Sequence, residues 1–147
     1  MSLKERIADD LKAAMRTGNT KQRDTIRLLQ AAIKQREVDE RVILDDAAVI
    51  TVIEKMLKQR KDSIEQYESA KRTDLAEIEK AEVAFLSAYM PQPFTDSEID
   101  NLVIAAIAET GASGMQDMGK VMAILKPKLT GRADMAKVSM LIKSKFA

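Results

Sequence analysis

Between Met1 and Met90 the chain contains one glycine, Gly18, and no proline. A stretch so poor in backbone breakers favours long uninterrupted helices. The other glycines (Gly111, Gly114, Gly119, Gly131) and all three prolines (Pro91, Pro93, Pro127) come later. Proline has no N–H and forces its predecessor out of the α region, so Met90-Pro91-Gln92-Pro93-Phe94 cannot continue a helix. The domain boundary is therefore expected there, giving 1–92 and 93–147. Aromatic residues make up only 3% of the chain and no strand-like alternation appears. The expected fold is all-α: an N-terminal helical hairpin or bundle of about four helices, then a small three-helix C-terminal domain.

Helix ends are marked by capping residues. Ser2 with Glu5 forms a capping box, Ile7, Leu11, Ala14 and Met15 recur at helical spacing, and Gly18 ends the first helix near Thr17. A second helix from Asn19 or Thr20 to about Val38 carries Ile26, Leu29 and Ile33. A third follows Asp45-Asp46, with Ile50, Ile53, Leu57, Ile64 and Tyr67 on a heptad seam. The fourth opens at Thr73 or Asp74, presents Leu75, Ile78, Phe85 and Tyr89, and pairs with the third through a turn at 70–72. Thr95 with Glu98 starts a fifth helix that stops at Gly111. Ser113 or Asp117 starts a sixth, with Met118, Val121, Met122 and Leu125, which Pro127 ends or bends. A turn centred on Gly131 leads to a last helix from Ala136 to about Ser144. No internal repeat is apparent.

The chain has no His, Cys or Trp. Disulfides, thiolate nucleophiles, histidine bases and Cys/His metal sites are excluded, and no catalytic residue, metal or cofactor is assigned. The charged N-terminus (Lys4, Glu5, Arg6) lacks the apolar run of a secretory signal, and no long apolar segment could cross a bilayer. A cytoplasmic location without a membrane partner is the expectation.

The overall charge of +1 conceals a polarity. Residues 91–117 hold five acids and no Lys or Arg, whereas 118–147 hold seven bases against one acid, Asp134. A segment with that excess is a candidate phosphate-facing surface, and Lys120, Lys126, Lys128, Arg132 and Lys137 are its candidate RNA contacts. Lysines also gather at helix C-termini to suit the macrodipole, and that reading stays open. Phe146 is the one aromatic residue there, so a nucleic acid would be held by its backbone or shape rather than by base stacking.

Other features read as structural. Arg23, Arg27 and Lys34 line one side of the second helix and suit a solvated face. Arg60 interrupts the third seam and Glu82 the fourth. Arg60 is therefore expected to bridge to Glu82, or to Glu79 one turn away. Gly119 inside a helix suggests close packing or, less simply, backbone access for a ligand. The clustered Met115, Met118, Met122, Met135 and Met140 suit core filling or an adaptable protein-binding face.

Five local patterns carry a family resemblance: Leu57-Lys58-Gln59-Arg60-Lys61-Asp62-Ser63-Ile64; Arg72-Thr73-Asp74-Leu75-Ala76; Glu79, Glu82 and Tyr89-Met90-Pro91; Asp117-Met118-Gly119-Lys120-Val121-Met122; and Gly131-Arg132-Ala133-Asp134. In this order, and over essentially the whole length, the chain resembles the YqeY proteins. These are similar to the tail domain of the B subunit of the tRNA-dependent amidotransferase, which converts misacylated Glu-tRNA or Asp-tRNA to Gln-tRNA or Asn-tRNA. The resemblance implies a two-domain helical protein associated with tRNA, with an amidotransferase or an aminoacyl-tRNA synthetase as a companion. It also implies that a carbon–nitrogen ligase label with glutamine as donor describes the complex and not this polypeptide. A protein-interaction module without RNA contact is the competing reading.

Overall fold

The computed structural model describes residues 1–146. Among them are seven α-helices, one short 3-10 turn and no strand, so the fold is all-α. The helices are α1 (Leu3–Thr17), α2 (Thr20–Glu40), α3 (Asp46–Ser69), α4 (Thr73–Ser87), α5 (Asp96–Thr110), α6 (Met118–Leu129) and α7 (Met135–Phe146). Cα packing separates two compact units, Met1–Met90 and Pro91–Ala147.

In the first unit, the Ser2 hydroxyl accepts from the Glu5 N–H while the Glu5 side chain reaches back, and Gly18 ends α1 at φ 71°. Ile7, Ile26, Leu29, Ile33, Val49, Val52, Ile53, Met56 and Leu86 form the core. The seam expected on α3 is corrected. Its buried side chains are Val49, Val52, Ile53 and Met56, while Ile50, Leu57, Ile64 and Tyr67 are half-buried. Because α3 packs against α1, α2 and α4, its buried arc is set by several neighbours and not by one partner. The apolar face of α4 shifts likewise: Ala76 and Leu86 are buried, whereas Ile78 is 56% exposed. Met15, on the expected inner face of α1, is also exposed.

The turn between α3 and α4 places Lys71 in the left-handed region at φ 58°. The returning helix brings Glu82 to Arg60, whose Nε donates to Oε2 at 2.8 Å with both side chains largely buried. Arg60 also donates to the Met56 carbonyl, and Glu79 makes no ion pair with it among the described residues.

In the second unit, Val103, Ala106, Val121, Leu125, Leu129, Val138 and Ile142 form a separate core. Asp117 does not cap α6 with its side chain. A 3-10 turn (Met115–Asp117) precedes the helix, and the Asp117 carboxylate accepts from the Ser113 N–H at 3.0 Å. Pro127 neither ends nor interrupts α6, which runs on to Leu129, where the Thr130 N–H bonds the Lys126 carbonyl. Proline deletes one intrahelical bond, and burial of Leu125 and Leu129 on either side outweighs that loss.

The expectation of no internal repeat is also corrected. Both α6 and α7 have 12 residues. Seventeen positions apart, Met118 matches Met135, Lys120 matches Lys137, Val121 matches Val138, Lys126 matches Lys143 and Lys128 matches Lys145. Val121 and Val138, like Leu125 and Ile142, are buried at equivalent places. Leu-for-Ile and Phe-for-Leu exchanges mask the repeat in the letters, but both helices keep the same apolar arc.

Candidate nucleic-acid interface

Helix position decides where each candidate cation points. Lys126 and Lys128 lie in the last turn of α6, beside its exposed carbonyls, and both are solvent-exposed. Lys120 is 72% exposed and stands 3.9 Å from Asp117 Oδ1. With about 100° between successive helical residues, Lys126 falls about 120° around α6 from Lys120 and about 160° from Lys128. These three lysines therefore fan around the helix and do not form one flat face.

Arg132 is engaged differently. Its guanidinium carbon lies 3.7 Å from the Phe94 ring centroid, and its Nε donates to the Gln92 carbonyl at 2.9 Å. The Phe94 N–H in turn donates to the Arg132 carbonyl at 2.9 Å. Gly131, at φ 78°, allows the chain to reverse just before this clasp. Arg132 thus ties the Gln92–Phe94 segment to the turn after α6. The Glu98 carboxyl is held below its ordinary range, first by hydrogen bonds within the Thr95 capping box and lastly by the charge of Arg132.

Lys137 lies on the exposed side of α7, where it shares a cleft of about 540 Å³ with Phe94, Ile99, Arg132 and Leu141. Asp96, Asp100 and Asp134 line the same cleft, so the field around Lys137 is mixed in sign. Lys145 is paired with Asp100 at 2.8 Å. Lys143, absent from the candidates read in the sequence, is exposed and occupies on α7 the place of Lys126 on α6. The repeat is the signal that identifies it.

Gly119 has no packing partner. It is the second residue of α6, is exposed, and an added Cβ would meet nothing within 4 Å. The methionine cluster divides: Met118, Met122 and Met135 pack on the core, whereas Met115 and Met140 are exposed. Among the described residues no acids, His or Cys gather in a group able to hold a metal ion, and no helix is long and apolar enough to cross a membrane.

The amino-acid sequence matches a known family profile, described as Yqey-like protein, over residues 4–146. The chain belongs to the YqeY-like family. Its curated relatives include proteins named altered inheritance of mitochondria protein 41, mitochondrial. The one from Pyrenophora tritici-repentis is 38% identical over 126 residues, covering 82% of this chain and 70% of the relative. The Lachancea thermotolerans protein is 36% identical, covering 70% of this chain and 57% of its own length. For Candida glabrata the identity is 34%, covering 63% of this chain and 52% of the relative. The YqeY-like chain thus spans little more than half the length of the latter two. These names correct the expected cytoplasmic location, because the relatives are mitochondrial proteins. The physical reason is that a charged N-terminus argues only against a secretory apolar segment, whereas mitochondrial addresses are themselves amphipathic and arginine-rich.

Proposed function

We propose that this YqeY-like chain is a non-catalytic accessory protein that binds tRNA or accompanies it. In this reading 1–92 is a helical bundle, and 93–147 is a three-helix domain resembling the amidotransferase tail. The observation that carries the proposal is the set of exposed lysines, Lys126, Lys128 and Lys137, in a stretch whose only acid is Asp134. Fanned lysines suit a curved phosphate backbone better than a flat ligand, and the scarcity of aromatic residues suits recognition without base stacking. Arg132, clasped on Phe94, shapes this surface and contributes its remaining donors.

An amidotransferase or an aminoacyl-tRNA synthetase is the proposed protein companion, and any carbon–nitrogen ligase activity with glutamine as donor belongs to that companion. A docking module that uses the methionine face alone finds less support, since Met118, Met122 and Met135 are occupied by the core.

The deciding experiment titrates tRNA into wild-type protein and into K126Q/K128Q/K137Q over a range of salt concentrations. About 0.9 is lost from the slope of log affinity against log salt for each duplex phosphate contact removed, so the triple variant is expected to flatten the slope by two or so. An unchanged slope would overturn this surface.

A further inference from the structure

The first unit carries a second basic feature that the reading above does not use. On α2, Arg23, Arg27, Gln30 and Lys34 follow one another at offsets of four, three and four, which places them within an arc of about 60° along roughly 16 Å of helix. No acid falls within that arc between Arg23 and Lys34. Arg23 leans on the adjacent Asp24 at 2.9 Å, whereas Arg27 and Lys34 are exposed and form no ion pair among the described residues. Glu37, next along the arc, is already occupied: Lys4 Nζ donates to its carboxylate at 2.5 Å and the Leu44 N–H donates at 2.9 Å. Beside the stripe, Lys4, Gln30, Lys34 and Glu37 border a cleft of about 270 Å³ over Ile7 and Ile33.

We infer that the Arg23–Arg27–Gln30–Lys34 stripe of α2 is a second surface for the phosphate backbone of structured RNA. The inference rests on RNA being the partner proposed above and extends the contact to the first unit. Between Arg23 and Lys34 the stripe presents charge and one amide without an exposed apolar side chain: Leu28 lies about 130° away around the helix, and the exposed Val38 follows one turn beyond Lys34. Protein interfaces draw their energy from buried aromatic and apolar anchors, whereas backbone contacts to nucleic acid come from Arg, Lys and side-chain amides. Rises of about 6 Å from Arg23 to Arg27 and about 10 Å from Arg27 to Lys34 allow each cation its own phosphate.

The test uses the full chain, unfractionated tRNA and a range of salt, comparing wild type, R27Q/K34Q, K126Q/K128Q/K137Q and the combined variant. Circular dichroism first confirms an unchanged helical content, as expected for exposed positions. R27Q/K34Q is expected to weaken binding at least fivefold near 0.1 M salt and to flatten the slope by about one to two, in addition to the loss in the triple variant. A wild-type slope in R27Q/K34Q, with a flattened slope in the triple variant, overturns the inference and leaves the reading above standing. Flattening in R27Q/K34Q alone supports the stripe and overturns the C-terminal surface. Failure of wild type to bind tRNA overturns both, and polyglutamate binding lost in R27Q/K34Q would then assign the stripe to an acidic protein surface.

Discussion

Arg60 and Glu82, twenty-two residues apart, meet across the α3–α4 hairpin with Nε and Oε2 2.8 Å apart and only 14% and 20% of their side chains exposed. Removing one partner leaves a largely buried charge without its counter-ion. Glu82→Ala is expected to cost about 2–3 kcal/mol, read as a lower urea midpoint at unchanged m-value. The double variant R60M/E82L should lose less than either single change. Equal or larger loss in the double variant would show that the pair is a net stabiliser beyond its own desolvation.

Tyr89 is 6% exposed, and its hydroxyl donates to Asp10 Oδ2 at 2.5 Å. Arg6 lies 5.0 Å from the ring centroid and donates to the Ala88 carbonyl. Burial, and then the neighbouring Asp10 carboxylate, push the phenol well above its ordinary value of 10.0. A raised value favours the neutral form in the folded protein. The resulting stability is fully present below the unfolded phenol's value and is lost as pH rises above it. Tyr89→Phe is expected to cost about 1–2 kcal/mol at neutral pH, and the gap to wild type should narrow above about pH 10. A gap that stays constant into alkali would contradict the assignment.

Glu37 shows the opposite sign. Hydrogen bonds from Lys4 and then from the Leu44 N–H hold its carboxyl below the ordinary 4.5. Its contribution is therefore present above about pH 4.5 and disappears as pH falls through the lowered folded value. Melting temperatures of wild type and E37Q should differ at neutral pH and converge in acid. A pH-independent difference would rule out this linkage.

Two glycines should respond in opposite directions. Gly131 needs its positive φ of 78°, so Gly131→Ala is expected to destabilise by about 1–2 kcal/mol. Gly119 sits exposed in the first turn of α6 with open space around its Cβ position, so Gly119→Ala is expected to stabilise by about 0.5–1 kcal/mol. Thermal melts decide both. A G119A variant that gains stability yet loses tRNA affinity would place the backbone at residue 119 against the ligand.

Helix starts and stops were legible because their causes are local. Ser2 with Glu5, Thr95 with Glu98, and the glycines after α1 and α5 each satisfy backbone groups within a few residues. That no helix continues through Met90–Phe94 was legible for the same reason. Less local features were not. Ile78 carries an apolar side chain at helical spacing yet faces solvent, and Met56, off the expected seam, is buried. Periodicity names an apolar stripe, but the neighbouring helices choose which arc of it is covered.

The candidate interface divides along the same line. Sequence order by itself concentrates the cations after Met118, places an acid-poor stripe on α2 and supplies the patterns that define the family. Tertiary structure alone clasped Arg132 to Phe94, tied Lys145 to Asp100, and left Lys126, Lys128 and Lys143 in solvent. A charge is fixed by residue type, but its freedom to meet a ligand depends on partners brought near by packing from distant parts of the chain.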